Sequence, residues 1–84
     1  MAVPKKAQLI ETMRYSVVLF YSVSSAFRAE RLLQKNGIAT KLIPVPRHLS
    51  SDCGISLRFD GLEEARVRVI LENGQVDIQG IYPV

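Results

Sequence analysis

The sequence predicts an α+β domain: a ferredoxin-like βαββαβ sandwich, with a four-stranded antiparallel sheet and two helices on one face. Three observations lead there. Strand-like segments rich in β-branched and aromatic residues, or alternating apolar with polar, recur at Tyr15 to Tyr21, Ile38 to Ile43, Ile55 to Phe59 and Val76 to Tyr82. Helix-forming segments follow the first and third of these, and each closes on an Asn-Gly pair, Asn36-Gly37 and Asn73-Gly74. The chain has 84 residues, 48% hydrophobic and 23% charged, which suffices for one small core and is too short for two.

Met1 to Arg14 carries a proline and a lysine pair and has weak periodicity. It reads as a flexible N-terminal arm preceding a single domain, residues 15–84. Tyr15 to Tyr21 is continuously apolar after Ser16, as a central strand covered by other elements should be. The hydroxyls of Ser22, Ser24 and Ser25 can cap the helix expected from Ser25 to Asn36. Its buried stripe is Ala26, Ala29 and Leu33, widened by Leu32, and the small residues let it lie close to a sheet. Ile38 to Ile43 forms a second strand, stopped by Pro44 and Pro46 because proline has no ladder donor. Ile55 to Phe59 alternates cleanly, with Ile55, Leu57 and Phe59 on one face.

Asp60 and Glu63 have capping-box spacing at the start of the second helix. Leu62, Ala65 and Val69 mark its expected stripe. Val76 to Tyr82 alternates as the last strand and ends before Pro83. Phe20, Phe27 and Phe59 read as core residues. Right-handed crossovers complete the topology.

Composition excludes several function classes. No apolar run of about 18 residues is present, so no membrane span or membrane partner is expected. Eleven Lys and Arg against eight Asp and Glu give a net charge of +3, but the basic residues are dispersed, so nucleic acid is not an expected partner. One cysteine and one histidine make no zinc constellation, and neither a Walker loop nor a dinucleotide fingerprint occurs. Neither a metal nor a cofactor is expected. A single cysteine without an internal disulfide suits a reducing compartment, and the N-terminus does not read as a secretory signal, which points to the cytoplasm.

The segment Pro44-Val45-Pro46-Arg47-His48-Leu49-Ser50-Ser51-Asp52-Cys53-Gly54 is different from the rest. It holds the only cysteine and the only histidine. Prolines stiffen its start, and Ser50, Ser51 and Asp52 favour turns. In the βαββαβ topology this loop and Ser22 to Ala26 share one end of the sheet. Cys53 is therefore expected near Tyr21 and Ser22, facing the N-terminus of the first helix. That end carries partial positive charge and unpaired N–H groups. The polar neighbours of Cys53 suggest a surface position, although a lone cysteine at a strand start is also a natural core residue.

Leu19-Phe20-Tyr21-Ser22, the Ala-x-x-Ala-Glu-x-Leu-Leu pattern of Ala26 to Leu33, Gly37-Ile38, Leu42-Ile43-Pro44-Val45-Pro46-Arg47 and Ser50-Ser51-Asp52-Cys53-Gly54 form a recognisable set. Over about Val17 to Phe59 the chain resembles the putative selenium/sulfur carrier protein-like family of small bacterial proteins. The resemblance implies a cytoplasmic carrier in which the matching cysteine is Cys53, with a persulfide or selenium donor protein and an acceptor protein as partners. On this reading Arg47 and the helix N-terminus stabilise the thiolate, His48 shuttles a proton, Ser22 and Ser24 donate hydrogen bonds, and Gly54 leaves room for the donor. The alternative is a noncatalytic anion- or protein-binding module with a structural cysteine, using Arg47 and His48. An exposed sheet face or free edge would support a homodimer.

Overall fold

The computed structural model describes residues 15–84, so the N-terminal arm lies outside the described residues. The element order is β1 (Tyr15–Phe20), α1 (Val23–Lys35), β2 (Thr40–Pro44), β3 (Ile55–Asp60), a 3₁₀ turn (Gly61–Glu63), α2 (Glu64–Asn73) and β4 (Ile78–Pro83). The strands form one antiparallel sheet in the order β2-β3-β1-β4. This is the expected βαββαβ sandwich.

β1 lies between β3 and β4, and its five residues after Tyr15 are all buried. Burial of both alternating sets of side chains matches the unbroken apolar run read from the sequence. Val18 stands opposite Leu57 of β3 and Ile81 of β4, which sets the register of the core face. Val18, Phe20, Leu57 and Phe59 from the sheet meet Ala26, Ala29 and Leu33 of α1 and Val67 and Leu71 of α2. Phe27 points the other way and is 48% exposed, because the alanine stripe turns the opposite flank of α1 to the sheet.

α1 begins earlier than the sequence suggests, since Ser22 is its cap and accepts from the Ser25 N–H at 3.3 Å. At its other end Gly37 adopts φ 79°, with the Gly37 N–H on the Gln34 carbonyl (3.0 Å) and the Ile38 N–H on the Leu33 carbonyl (2.9 Å). This paired closure uses Ile38 as a buried plug, so β2 starts at Thr40 and not at Ile38.

α2 departs further from its expected form. The Asp60 carboxylate accepts from the Leu62 N–H at 2.9 Å and opens a 3₁₀ turn, while Glu63 reaches forward to Arg66 at 3.2 Å instead of back to the cap. The buried stripe is Val67 and Leu71, with Ile70 partly buried against the core. Leu62 and Val69, assigned to the core from their spacing, are 77% and 54% exposed. Two apolar stripes compete on this helix, and the one with the greater volume faces the sheet.

The second Asn-Gly pair also plays another part than expected. Gly74 has φ −83°, and the left-handed residue is Gln75 at φ 57°. A Cβ on Gly74 would stand 2.5 Å from Leu32 Cδ1, so glycine here permits the close approach of α1 to α2. The Arg28 guanidinium reaches across from α1 to the Gly74 and Gln75 carbonyls. Val76 is the buried plug of this closure, its N–H on the Leu71 carbonyl at 2.9 Å, and β4 consequently begins at Ile78.

Pairing between β1 and β4 is interrupted once. Leu19 opposes Gly80 and Phe20 opposes Ile78, leaving Gln79 as the extra residue of a bulge.

Candidate functional site: a covered thiol in the β2–β3 connection

Pro44 and Ile55 are directly paired, and the connection they bracket has a tip and a base. At the tip, the Leu49 N–H donates to the Pro46 carbonyl at 3.0 Å, closing a turn with Arg47 and His48 in its middle. Both side chains are exposed. Towards the base, the Val45 N–H donates to the Gly54 carbonyl at 3.3 Å, extending the strand pairing by one bond.

The base itself is tied down by side chains. Ser51 Oγ lies 2.8 Å from the Phe20 carbonyl oxygen and 2.8 Å from Gln79 Oε1, with one proton to give to either, and accepts from the Cys53 N–H at 3.2 Å. Gln79 Oε1 also accepts from the Asp52 N–H at 3.1 Å. These contacts fasten the loop to the end of β1 and to the bulge of β4. Cys53 is 4% exposed as a result, and its thiol donates to the Ile55 carbonyl at 3.4 Å.

Of the surface and core positions left open for Cys53, the structure takes the core one. Ser51 and the Asp52 N–H turn inward and spend their polarity on the ends of two strands, which lets a polar sequence cover a thiol. The loop reaches the end of β1 through Ser51 Oγ and the Phe20 carbonyl.

The sequence-selected residues occupy three places. Cys53 and Gly54 stand at the base, and a Cβ on Gly54 would meet nothing within 4 Å. Arg47 and His48 stand at the tip. Ser22 and Ser24 stand at the start of α1, where Ser22 Oγ is 3.2 Å from Ser24 Oγ and donates to Ser25 Oγ at 3.1 Å. Among the described residues, no hydrogen bond joins Cys53 to Arg47, His48, Ser22 or Ser24.

Gln79 was missed from sequence, and so was the structural part of Ser51. Gly80 inside an alternating strand was the available signal, because an isolated strand glycine commonly marks a bulge or a close approach. Both apply here: a Cβ on Gly80 would stand 2.8 Å from the Tyr82 ring.

Away from this loop, a groove of about 340 Å³ is lined by Asn36, Ala65, Arg66, Val69 and Ile70, none of which belongs to the connection. Among the described residues no group of three His, Cys, Asp or Glu is placed to hold a metal ion, and no helix is long and apolar enough to cross a membrane.

Fold and site define a small α+β domain whose one thiol is held at the base of a side-chain-anchored loop. The chain belongs to the family described as Putative Se/S carrier protein-like, whose profile matches residues 14–83. That span includes Cys53, Ser51 and Gln79, and it extends the likeness through α2 and β4. No curated protein and no solved structure matches the chain.

Proposed function

We propose that the protein carries sulfur or selenium on Cys53 between a donor and an acceptor protein, in the cytoplasm. The observation that supports this most is the family match over residues 14–83, in a chain with one cysteine. The Cys53 thiolate attacks the outer sulfur of a donor persulfide. The donor S–S bond breaks, a new S–S bond forms at Cys53, and the donor leaves as its thiolate. Cys53 then holds Cys–S–SH, or Cys–S–SeH from a selenium-bearing donor. An acceptor nucleophile attacks the outer atom and releases the Cys53 thiolate. A lone thiol suits such a carrier, because a neighbouring cysteine would discharge the cargo by closing a disulfide.

Arg47 and His48, exposed on the same connection, are assigned to meeting the anionic donor, with His48 moving the proton. Ser22 and Ser24, and the helix end that Ser22 caps, offer donors to the loaded anion once the loop has opened. Gly54 keeps the space beside Cys53 free.

The test is to incubate the protein with a low-molecular-weight persulfide and measure its intact mass. Wild type should gain the mass of one sulfur atom, lost again on reduction, while Cys53→Ser should gain none. Equal loading of the two proteins would refute the proposal. The burial of Cys53 favours a second reading, a noncatalytic module with a packing cysteine. That reading predicts no loading of folded wild type, and anion or partner binding that survives Cys53→Ala but weakens in Arg47→Ala.

A further inference from the structure

Cys53 presents a geometric problem to any carrier reading. Sulfur transfer needs the attacking sulfur to reach the donor's outer atom, and a thiol 4% exposed and turned to the Ile55 carbonyl is covered. The loop must open for the reaction, so the contacts that keep it closed decide how often the thiol is available.

Those contacts converge on one side chain outside the loop. Gln79 Oε1 accepts from the Asp52 N–H (3.1 Å) and lies 2.8 Å from Ser51 Oγ, whose one proton goes to it or to the Phe20 carbonyl; these are the two residues preceding Cys53. Ser51 Oγ in turn accepts from the Cys53 N–H. Gln79 is also the extra residue of the β1–β4 bulge. A bulge redirects the side chain it carries, and here the redirected carboxamide is the loop's anchor. Removing it leaves the Asp52 N–H without its acceptor and Ser51 with the Phe20 carbonyl as its remaining acceptor.

We propose that Gln79 and Ser51 form a latch that keeps Cys53 covered, and that release of this latch is the local opening that exposes the thiol to its reaction partner. The purpose of the latch rests on the carrier reading. Its existence does not, and its test needs no persulfide. Gln79 acts through Ser51 and the loop backbone, so it is a positioning residue.

The experiment measures the rate of Cys53 alkylation by iodoacetamide at fixed pH, across a series of low urea concentrations. In this reaction the thiolate carbon–sulfur bond forms and iodide leaves. Local opening gives a rate nearly independent of urea, whereas global unfolding gives one that climbs steeply with it. Gln79→Leu, which keeps the bulk and removes the acceptor, should react about tenfold faster than wild type in the urea-independent range. Gln79→Glu keeps an acceptor for both donors and should return the rate towards wild type. A merely space-filling Gln79 would give the opposite order.

The proposal is overturned if Gln79→Leu reacts at the wild-type rate, or if its acceleration follows global unfolding at every urea concentration. Should Gln79→Leu fail to fold, Ser51→Ala reads the same latch from the loop side, with the same expected acceleration and the same refutation. A latch confirmed in a protein that never takes up sulfur would refute the carrier reading alone. Sulfur loading with no effect of either latch variant would refute the latch alone.

Discussion

The tip and the base of the β2–β3 connection are five residues apart and built on different physics. The tip holds its shape with one backbone hydrogen bond, from Leu49 to Pro46, and sends Arg47 and His48 into solvent. The base holds its shape with Ser51 and Gln79, which fasten it to β1 and β4. The difference teaches that the basic side chain Arg47 and the thiol are separated within one loop. Arg47 and His48 are exposed, while the thiol is available only when the polar contacts of the base give way.

The largest expected effect follows directly. At one pH, Cys53 in the native protein should alkylate at least about a hundredfold more slowly than in the protein unfolded by denaturant, as a covered group that reacts through local opening must. Comparable rates would mean that the base is as open as the tip, and the contrast between them would disappear.

A smaller effect separates two adjacent serines. Ser51→Ala deletes a hydroxyl that serves the Phe20 carbonyl, Gln79 and the Cys53 N–H, and should destabilise the domain by about 1–3 kcal/mol. Ser50 is exposed and forms no such set, so Ser50→Ala should stay within about 0.5 kcal/mol of wild type. Urea-unfolding midpoints of the two variants make the comparison. Equal midpoints would mean that the base is held by packing and not by its hydrogen bonds.

These contrasts also explain what could be read from the sequence. β1 and α1 were legible because their signals are local: a β-branched run, a serine cap, an alanine stripe and Asn36-Gly37. The phase of α2 was not, since Leu62-Ala65-Val69 and Val67-Ile70-Leu71 are both plausible stripes and only the sheet chooses between them. Asn73-Gly74 looked like a left-handed cap, yet Gly74 is small to admit Leu32 and Gln75 takes the positive φ. The loop does reach the end of β1, where Ser51 meets the Phe20 carbonyl. The burial of Cys53 stayed undecided because the partner that turns Ser51 inward is Gln79, distant in sequence and displaced by a bulge. Polar residues signal surface only while their partners are water.

The smallest expected effects belong to the tip and test whether its charges serve encounter with a donor. Arg47→Ala and His48→Ala should each change stability by no more than about 0.5 kcal/mol, because neither side chain supports the loop. Their effect on alkylation by neutral iodoacetamide should also be negligible, since the latch is untouched. With an anionic persulfide, Arg47→Ala should slow Cys53 loading a few-fold at low ionic strength, and added salt should erase the difference. An Arg47 variant that slowed both reagents equally, at all salt concentrations, would tie the tip to the closure of the base. The division of the loop into a charged tip for encounter and a latched base for chemistry would then have to be abandoned.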